Sequence, residues 1–173
     1  IFGVGGIQVF AAEASGPTHD KVHPRIGITA KWIWGIYAGL TGTLIILLMF
    51  GGMNIFDSIC HAFATTSTGG FSTKQASIEY YHSPYIEYVI SIFMFISGIN
   101  FTLLLLFVNG KLKKFVHDAE LKWYFWSVTG FTIVIAAILY YNSSMGVEEA
   151  FRKSLFQVAS LHTSTGFATA DYM

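Results

Sequence analysis

The stretch His61-Ala62-Phe63-Ala64-Thr65-Thr66-Ser67-Thr68-Gly69-Gly70-Phe71-Ser72-Thr73 returns near the end of the chain as Leu161-His162-Thr163-Ser164-Thr165-Gly166-Phe167-Ala168-Thr169. Placing Gly70-Phe71 over Gly166-Phe167 sets the two copies 96 residues apart. Each copy follows a long apolar run and then a short one, residues 55–66 and 147–161. The short runs open on acidic residues, Asp57 in the first and Glu148 and Glu149 in the second. A stretch that recurs with its neighbours in the same order marks a structural repeat, here span, short helix, Gly-containing loop and span. For either loop alone, an ordinary turn between helices is the simplest account. Repetition after equivalent elements argues against it.

Working outward, the solvent for this chain is lipid. Residues of the apolar set make up 53% and charged residues only 12%, where a soluble domain carries about 25% charged. The apolar residues stand in unbroken blocks instead of amphipathic stripes. Three blocks, residues 32–53, 85–108 and 123–141, reach the roughly 20 residues needed to cross a hydrocarbon layer about 30 Å thick. Trp32, Trp34, Tyr85, Trp123, Tyr140 and Tyr141 lie at their ends, as interfacial aromatics do. The two short runs are of re-entrant length, and each enters a Ser/Thr/Gly cluster. Irregular backbone at membrane depth is tolerated only when buried in protein or lining a watery cavity. Both clusters are therefore candidate pore linings.

Charge placement orients the spans. With both short runs outside, the inner side holds Lys21, Arg25, Lys31, Lys111, Lys113, Lys114 and Lys122, against Lys74, Arg152 and Lys153 outside. Cytoplasmic loops collect cations in this way. The net charge is zero and no long basic run points to nucleic acid. The single cysteine, Cys60, excludes an internal disulfide and a multi-cysteine metal site. There is no serine elbow, phosphate-cradling Gly-Lys loop or His-Glu zinc motif, so an enzyme is not expected. The chain opens without an initiator methionine or a signal-peptide pattern and is expected to be a piece of a longer protein.

The loop chemistry suits a monovalent cation. A dehydrated ion must have its water replaced by oxygens, and carbonyls of a short Gly-containing strand at the end of a half-helix supply them. Glycine permits the necessary backbone angles, and the short helix would aim the negative end of its dipole at the ion. The candidate ligands are Ser67, Thr68, Gly69 and Gly70 in the first loop and Thr163, Ser164, Thr165 and Gly166 in the second.

Thr66-Ser67-Thr68-Gly69-Gly70-Phe71-Ser72-Thr73 resembles the second filter loop of the Trk/Ktr/HKT potassium transporter superfamily. Ser97-Gly98-Ile99-Asn100-Phe101 resembles the start of the inner helix that follows it. His162-Thr163-Ser164-Thr165-Gly166-Phe167 is similar to the third loop, and Gly5-Gly6-Ile7-Gln8-Val9-Phe10 to the tail of the first inner helix. The resemblance covers essentially the whole chain and implies an all-α integral membrane protein built of tandem helix–pore loop–helix repeats, like potassium-channel subunits. Residues 1–30 would end a preceding inner helix and form a cytoplasmic linker. Residues 31–109 would be a complete repeat, 110–122 a cytoplasmic loop, and 123–173 the outer helix and pore loop of the next repeat.

The resemblance further implies potassium uptake, with K+ held by backbone carbonyls at the eight residues above. Gly70 and Gly166 would be the filter glycines, and no bound cofactor is implied. It implies a multi-pass protein of the bacterial cytoplasmic membrane, in contact with lipid, a homodimer, and a cytoplasmic nucleotide-binding regulatory subunit docking on the Lys111 side. Four such loops close one pore in this superfamily, and the first and fourth lie outside the chain. A sodium-conducting or sodium-coupled member stays open, because the loop that decides it is absent. A membrane scaffold is the other alternative. It would predict polar residues converging within the spans, where Glu87 is the only charge.

Smaller features carry bland expectations beside sharp ones. Asn100 would either face the ion path or bond between helices. Gly35, Gly39 and Gly42 would serve close packing within the protein before a dimer face. His19 and His23 lack a third metal ligand, and His61 and His162 are expected to be structural or to line the mouth.

Overall fold

The computed structural model describes residues 26–143 and 145–169. These form α1 (Ile26–Phe50), α2 (Ile55–Thr66), a 3-10 turn (Ser77–Tyr81), α3 (Pro84–Ser97), α4 (Phe101–Val108), α5 (Leu112–His117), α6 (Ala119–Asn142) and α7 (Val147–His162). No strand occurs among the described residues. The all-α expectation holds, and the two short runs are the helices α2 and α7. Gly5 to Phe10, His19, Lys21, His23, Arg25 and Asp171 lie outside the described residues.

The first span differs from expectation at both ends. Its helix begins at Ile26, inside the segment read as linker, and stops at Phe50, short of Met53. The stop is a Schellman motif: Gly52 is left-handed at φ +94°, and the amides of Gly52 and Met53 bond back to the carbonyls of Met49 and Leu48. Two carbonyls left over by the helix end are thereby satisfied. At 25 residues α1 is about 37 Å long, ample for the hydrocarbon layer. The third span, α6, starts where Asp118 accepts hydrogen bonds from the amides of Glu120 and Leu121, as an N-cap does.

The second span is not one straight helix. It breaks into α3 and α4, bent by 100°. Gly98 ends α3 in tight quarters, where a Cβ would lie 2.5 Å from Tyr124 Oη and 2.7 Å from Thr163 Cγ2. Two residues on, Asn100 Oδ1 accepts from the amide of Thr102 at 2.9 Å and caps a new helix. Asn100 is thus first a cap, with a long 3.4 Å bond from its amide to Glu120 as its reach to another helix.

Close packing at Gly35, Gly39 and Gly42 is not made among the described residues, since a Cβ at any of them would meet nothing within 4 Å. Gly35 and Gly39 instead border an apolar groove between α1 and the broken span, lined also by Trp32, Ile36, Ile96 and Phe107.

One apolar core ties the two repeats. Leu44 and Leu48 of α1, Ala62 of α2, Ile86, Ile90 and Met94 of α3, and Phe156 and Ala159 of α7 belong to a single buried cluster. Both short helices are thus gathered around α3. The outward faces of α1 and α6 expose Trp34, Phe50, Trp123, Trp126 and Phe131, a surface suited to lipid. Midway along α1, the buried Thr41 hydroxyl lies 3.0 Å from that of Thr66, the last residue of α2.

Candidate functional site

The two loops repeat bond for bond. At the end of α2 the amides of Ser67, Thr68, Gly69 and Gly70 reach the carbonyls of Phe63, Thr65, Ala64 and Ala64. At the end of α7 the amides of Thr163, Ser164, Thr165 and Gly166 reach Ala159, Leu161, Ser160 and Ser160. Every donor and acceptor is displaced by the same 96 residues. Both helices therefore stop in a Schellman motif. The left-handed position that usually takes glycine is filled by Thr68 at φ +52° and Ser164 at φ +57°. Such a conformation costs a non-glycine residue on the order of 1–2 kcal/mol, and held strain of this kind gathers at functional sites.

Two residues further, Gly70 at φ +64° and Gly166 at φ +83° are left-handed again. Gly69 has no positive φ, which explains why Thr165 can stand at its place without distorting the loop. The sequence contrast between Gly69 and Thr165 therefore changes the side chain and leaves the local hydrogen bonding intact.

The loops meet each other. A Cβ on Gly70 would lie 1.8 Å from the carbonyl oxygen of Thr165, so the backbone of the first loop approaches that of the second at a distance only glycine allows. The equivalent face of Gly166 is open, with nothing within 4 Å. The eight residues named as candidate ligands make up these two loops.

Behind the first loop stands a polar network that the sequence did not reveal. Asp57, 3% exposed, accepts from Thr73 Oγ1 at 2.5 Å, from Asn54 Nδ2 at 2.9 Å and pairs with Lys74 Nζ at 3.1 Å. The Thr73 hydroxyl, helped by Lys74, holds the Asp57 carboxyl down to about 2 against the opposing effect of burial. His61 is fully buried. Its Nδ1 lies 2.7 Å from the carbonyl of Asp57, which can only accept, so the proton sits on Nδ1. Nε2 then accepts from Ser72 Oγ at 2.9 Å. These bonds clamp the chain just beyond the loop to the flank of α2.

The second loop is secured differently. Phe167, 1% exposed, stacks on His61 of the first repeat with ring centres 5.9 Å apart. Its carbonyl accepts from Ser160 Oγ at 2.7 Å, and the amide of Ala168 donates to Ser77 Oγ at 3.3 Å. His162 is exposed, with its ring 5.3 Å from that of Tyr124. The two histidines therefore play different parts, one buried behind a loop and one at a helix end. Among the described residues no three His, Cys, Asp or Glu side chains gather as a metal site.

Long apolar helices alternating with short helices that end in strained, glycine-bearing loops define a class of helical membrane protein, one with a repeated helix–loop unit. Comparison with known proteins narrows the class. The family model described as TrkH, a cation transport protein, matches residues 1–173. The Trk system potassium uptake protein TrkH of Escherichia coli K12 is 42% identical over 178 residues, covering 98% of this chain and 36% of that protein. TrkI of Halomonas elongata, another Trk system potassium uptake protein, is 31% identical over 98% of this chain and 34% of its own length. The crystal structure of the potassium transporter TrkH from Vibrio parahaemolyticus superposes with a TM-score of 0.82 at 34% identity, covering 96% of this chain and 36% of that one. The chain belongs to the TrkH family of cation transport proteins. It spans about a third of the length of the curated relatives it matches.

Proposed function

We propose that the protein containing this chain takes up potassium across the bacterial cytoplasmic membrane, and that the two loops are two strands of its ion filter. Carbonyls at Ser67, Thr68, Gly69 and Gly70, and at Thr163, Ser164, Thr165 and Gly166, are the ion ligands. The observation that carries this reading is the bond-for-bond repetition of the two loops, together with the contact of Gly70 with the Thr165 carbonyl. Two strands that share a backbone and touch are set to face a common axis, and a dehydrated cation needs oxygens from several sides at once.

The helices favour the same sign of charge, because both α2 and α7 point their carboxyl ends, negative in the helix dipole, toward the loops. The names of the relatives supply the ion, potassium. In this reading the protein is multi-pass, works as a homodimer, and receives a cytoplasmic nucleotide-binding subunit on the side of Lys111, Lys113 and Lys114.

The test is rubidium or potassium uptake by potassium-uptake-deficient bacteria expressing the full-length parent, with Gly70→Asp and Gly166→Asp made separately. Each variant is expected to reach the membrane and to lose uptake or selectivity. Parental transport by both would remove the filter reading.

A further inference from the structure

The helix α7 is held against α3 at two points. At one end Arg152 Nη1 pairs with Glu87 Oε2, and at the other Gly98 lies against Thr163. The two points are eleven residues apart on each helix, close to three turns, so they fall on one face of α3 and one face of α7. Ile90, Met94, Phe156 and Ala159 of the same two helices belong to the core cluster. The apolar seam holds its register only through the fit of its side chains, whereas the ion pair and the glycine contact each tie one residue to one partner.

The pair is buried. Glu87 is 6% and Arg152 9% exposed. Arg152 also donates from Nε to Glu148 Oε1 at 3.0 Å, which in turn accepts from Tyr88 Oη at 3.2 Å. A buried pair costs much of its attraction in desolvation and is weak evidence for stability. A buried polar contact can instead specify register. The pair is also not part of the repeat: the position 96 residues before Arg152 is Phe56, which is 69% exposed. The first loop is instead clamped within its own repeat, by Asp57 on Thr73 and Lys74.

We propose that Glu87 and Arg152 are positioning residues for ion discrimination, setting the axial position of α7 on α3 and hence where Thr163, Ser164, Thr165 and Gly166 stand relative to the first loop. The proposal rests on the reading of the two loops as filter strands. Small displacements of ligating atoms are costly in a site that must replace a hydration shell, as they are in catalytic sites, where a misplacement of about 1 Å can cost about 100-fold in rate.

The experiment measures potassium and sodium uptake by the full-length parent and by E87Q, R152Q and R152K, with membrane levels followed by immunoblot. Both neutral variants are expected to lower the potassium-over-sodium uptake ratio about tenfold, with R152K intermediate because a lysine keeps the charge without the planar fork. Gly166→Asp runs alongside. If it abolishes uptake while E87Q and R152Q keep the parental ratio, the positioning proposal is overturned and the filter reading stands. If Gly166→Asp transports like the parent, the filter reading itself fails.

Should the neutral variants not reach the membrane, the apolar double variant E87L/R152M removes both charges together, a change that buried pairs often tolerate. A lowered ratio in the double variant supports the proposal. A parental ratio overturns it, and so does absence of the double variant from the membrane, since the pair would then be needed for assembly.

Discussion

The loop after α2 and the loop after α7 carry the same backbone on different foundations. The first is tied to its own repeat through Asp57, Thr73, Lys74 and the His61–Ser72 bond. The second leans on the repeat before it, through Phe167 on His61, Ala168 on Ser77 and Arg152 on Glu87. The same phenylalanine of the repeat shows the consequence: Phe167 is 1% exposed and Phe71 is 82% exposed. The second loop is completed by the unit that precedes it, and Phe71 has no equivalent cover among the described residues.

The largest expected effect tests the contact between the loops. Gly70→Ala must push a methyl group against the backbone carbonyl of Thr165, whereas Gly166→Ala meets only its left-handed φ in open space. Uptake assays on the full-length protein should show complete loss for the first. The second should show a partial loss matching on the order of 1–2 kcal/mol of strain. Equal losses would mean that the close approach is not what the first glycine serves.

Next in size, Phe167→Ala removes a fully buried ring and should destabilise the protein by about 3–5 kcal/mol, read as a lowered thermal midpoint in detergent. Phe71→Ala sharpens the contrast. An equal cost in the full-length parent shows that a preceding unit covers Phe71, and a negligible one breaks the analogy between the two loops.

Asp57→Asn should have a smaller effect with a signature in pH. The folded carboxyl is held near 2, below its unfolded value of about 3.9. Its contribution is therefore complete above about pH 4 and lost as the pH falls toward 2. Thermal midpoints between pH 2 and 5 should flatten in the variant. An unchanged acid limb would mean that the clamp does not rest on the carboxylate.

The smallest effect is a gain. Thr68→Gly relieves a left-handed β-branched residue and should raise stability by up to about 1 kcal/mol by thermal melting. A fall in ion discrimination at the same time would show that the threonine is kept for the site and not for the helix.

Much of this was legible in the sequence. The long helices α1 and α6 follow from the length of the apolar blocks, and the loops from one alignment on Gly-Phe, because a backbone that needs a left-handed residue at a fixed place leaves glycine there. The break after Ser97 was not legible. An apolar run with one glycine and one asparagine reads as a continuous span, and the close approach of Tyr124 and Thr163, which leaves room only for glycine at position 98, comes from distant parts of the chain. The polar supports were hidden for the same reason. Glu87 and Arg152 stand 65 residues apart, one read as the only charge within the spans and the other as a cation of the outer side. Asp57 looked like a first-turn acid, which it is, but its burial depends on where Thr73 and Lys74 return.

The hydrogen bond between Thr41 and Thr66 sets a depth. Thr41 lies nine residues before the Phe50 end of α1, about 14 Å along the helix axis. With the Phe50 end of α1 taken as the edge of a hydrocarbon layer about 30 Å thick, the first loop begins near its midplane. Measured electrically, that is about half of the way across. A monovalent cation there would have roughly half of the membrane voltage still to traverse, worth about 1.1 kcal/mol for every 100 mV.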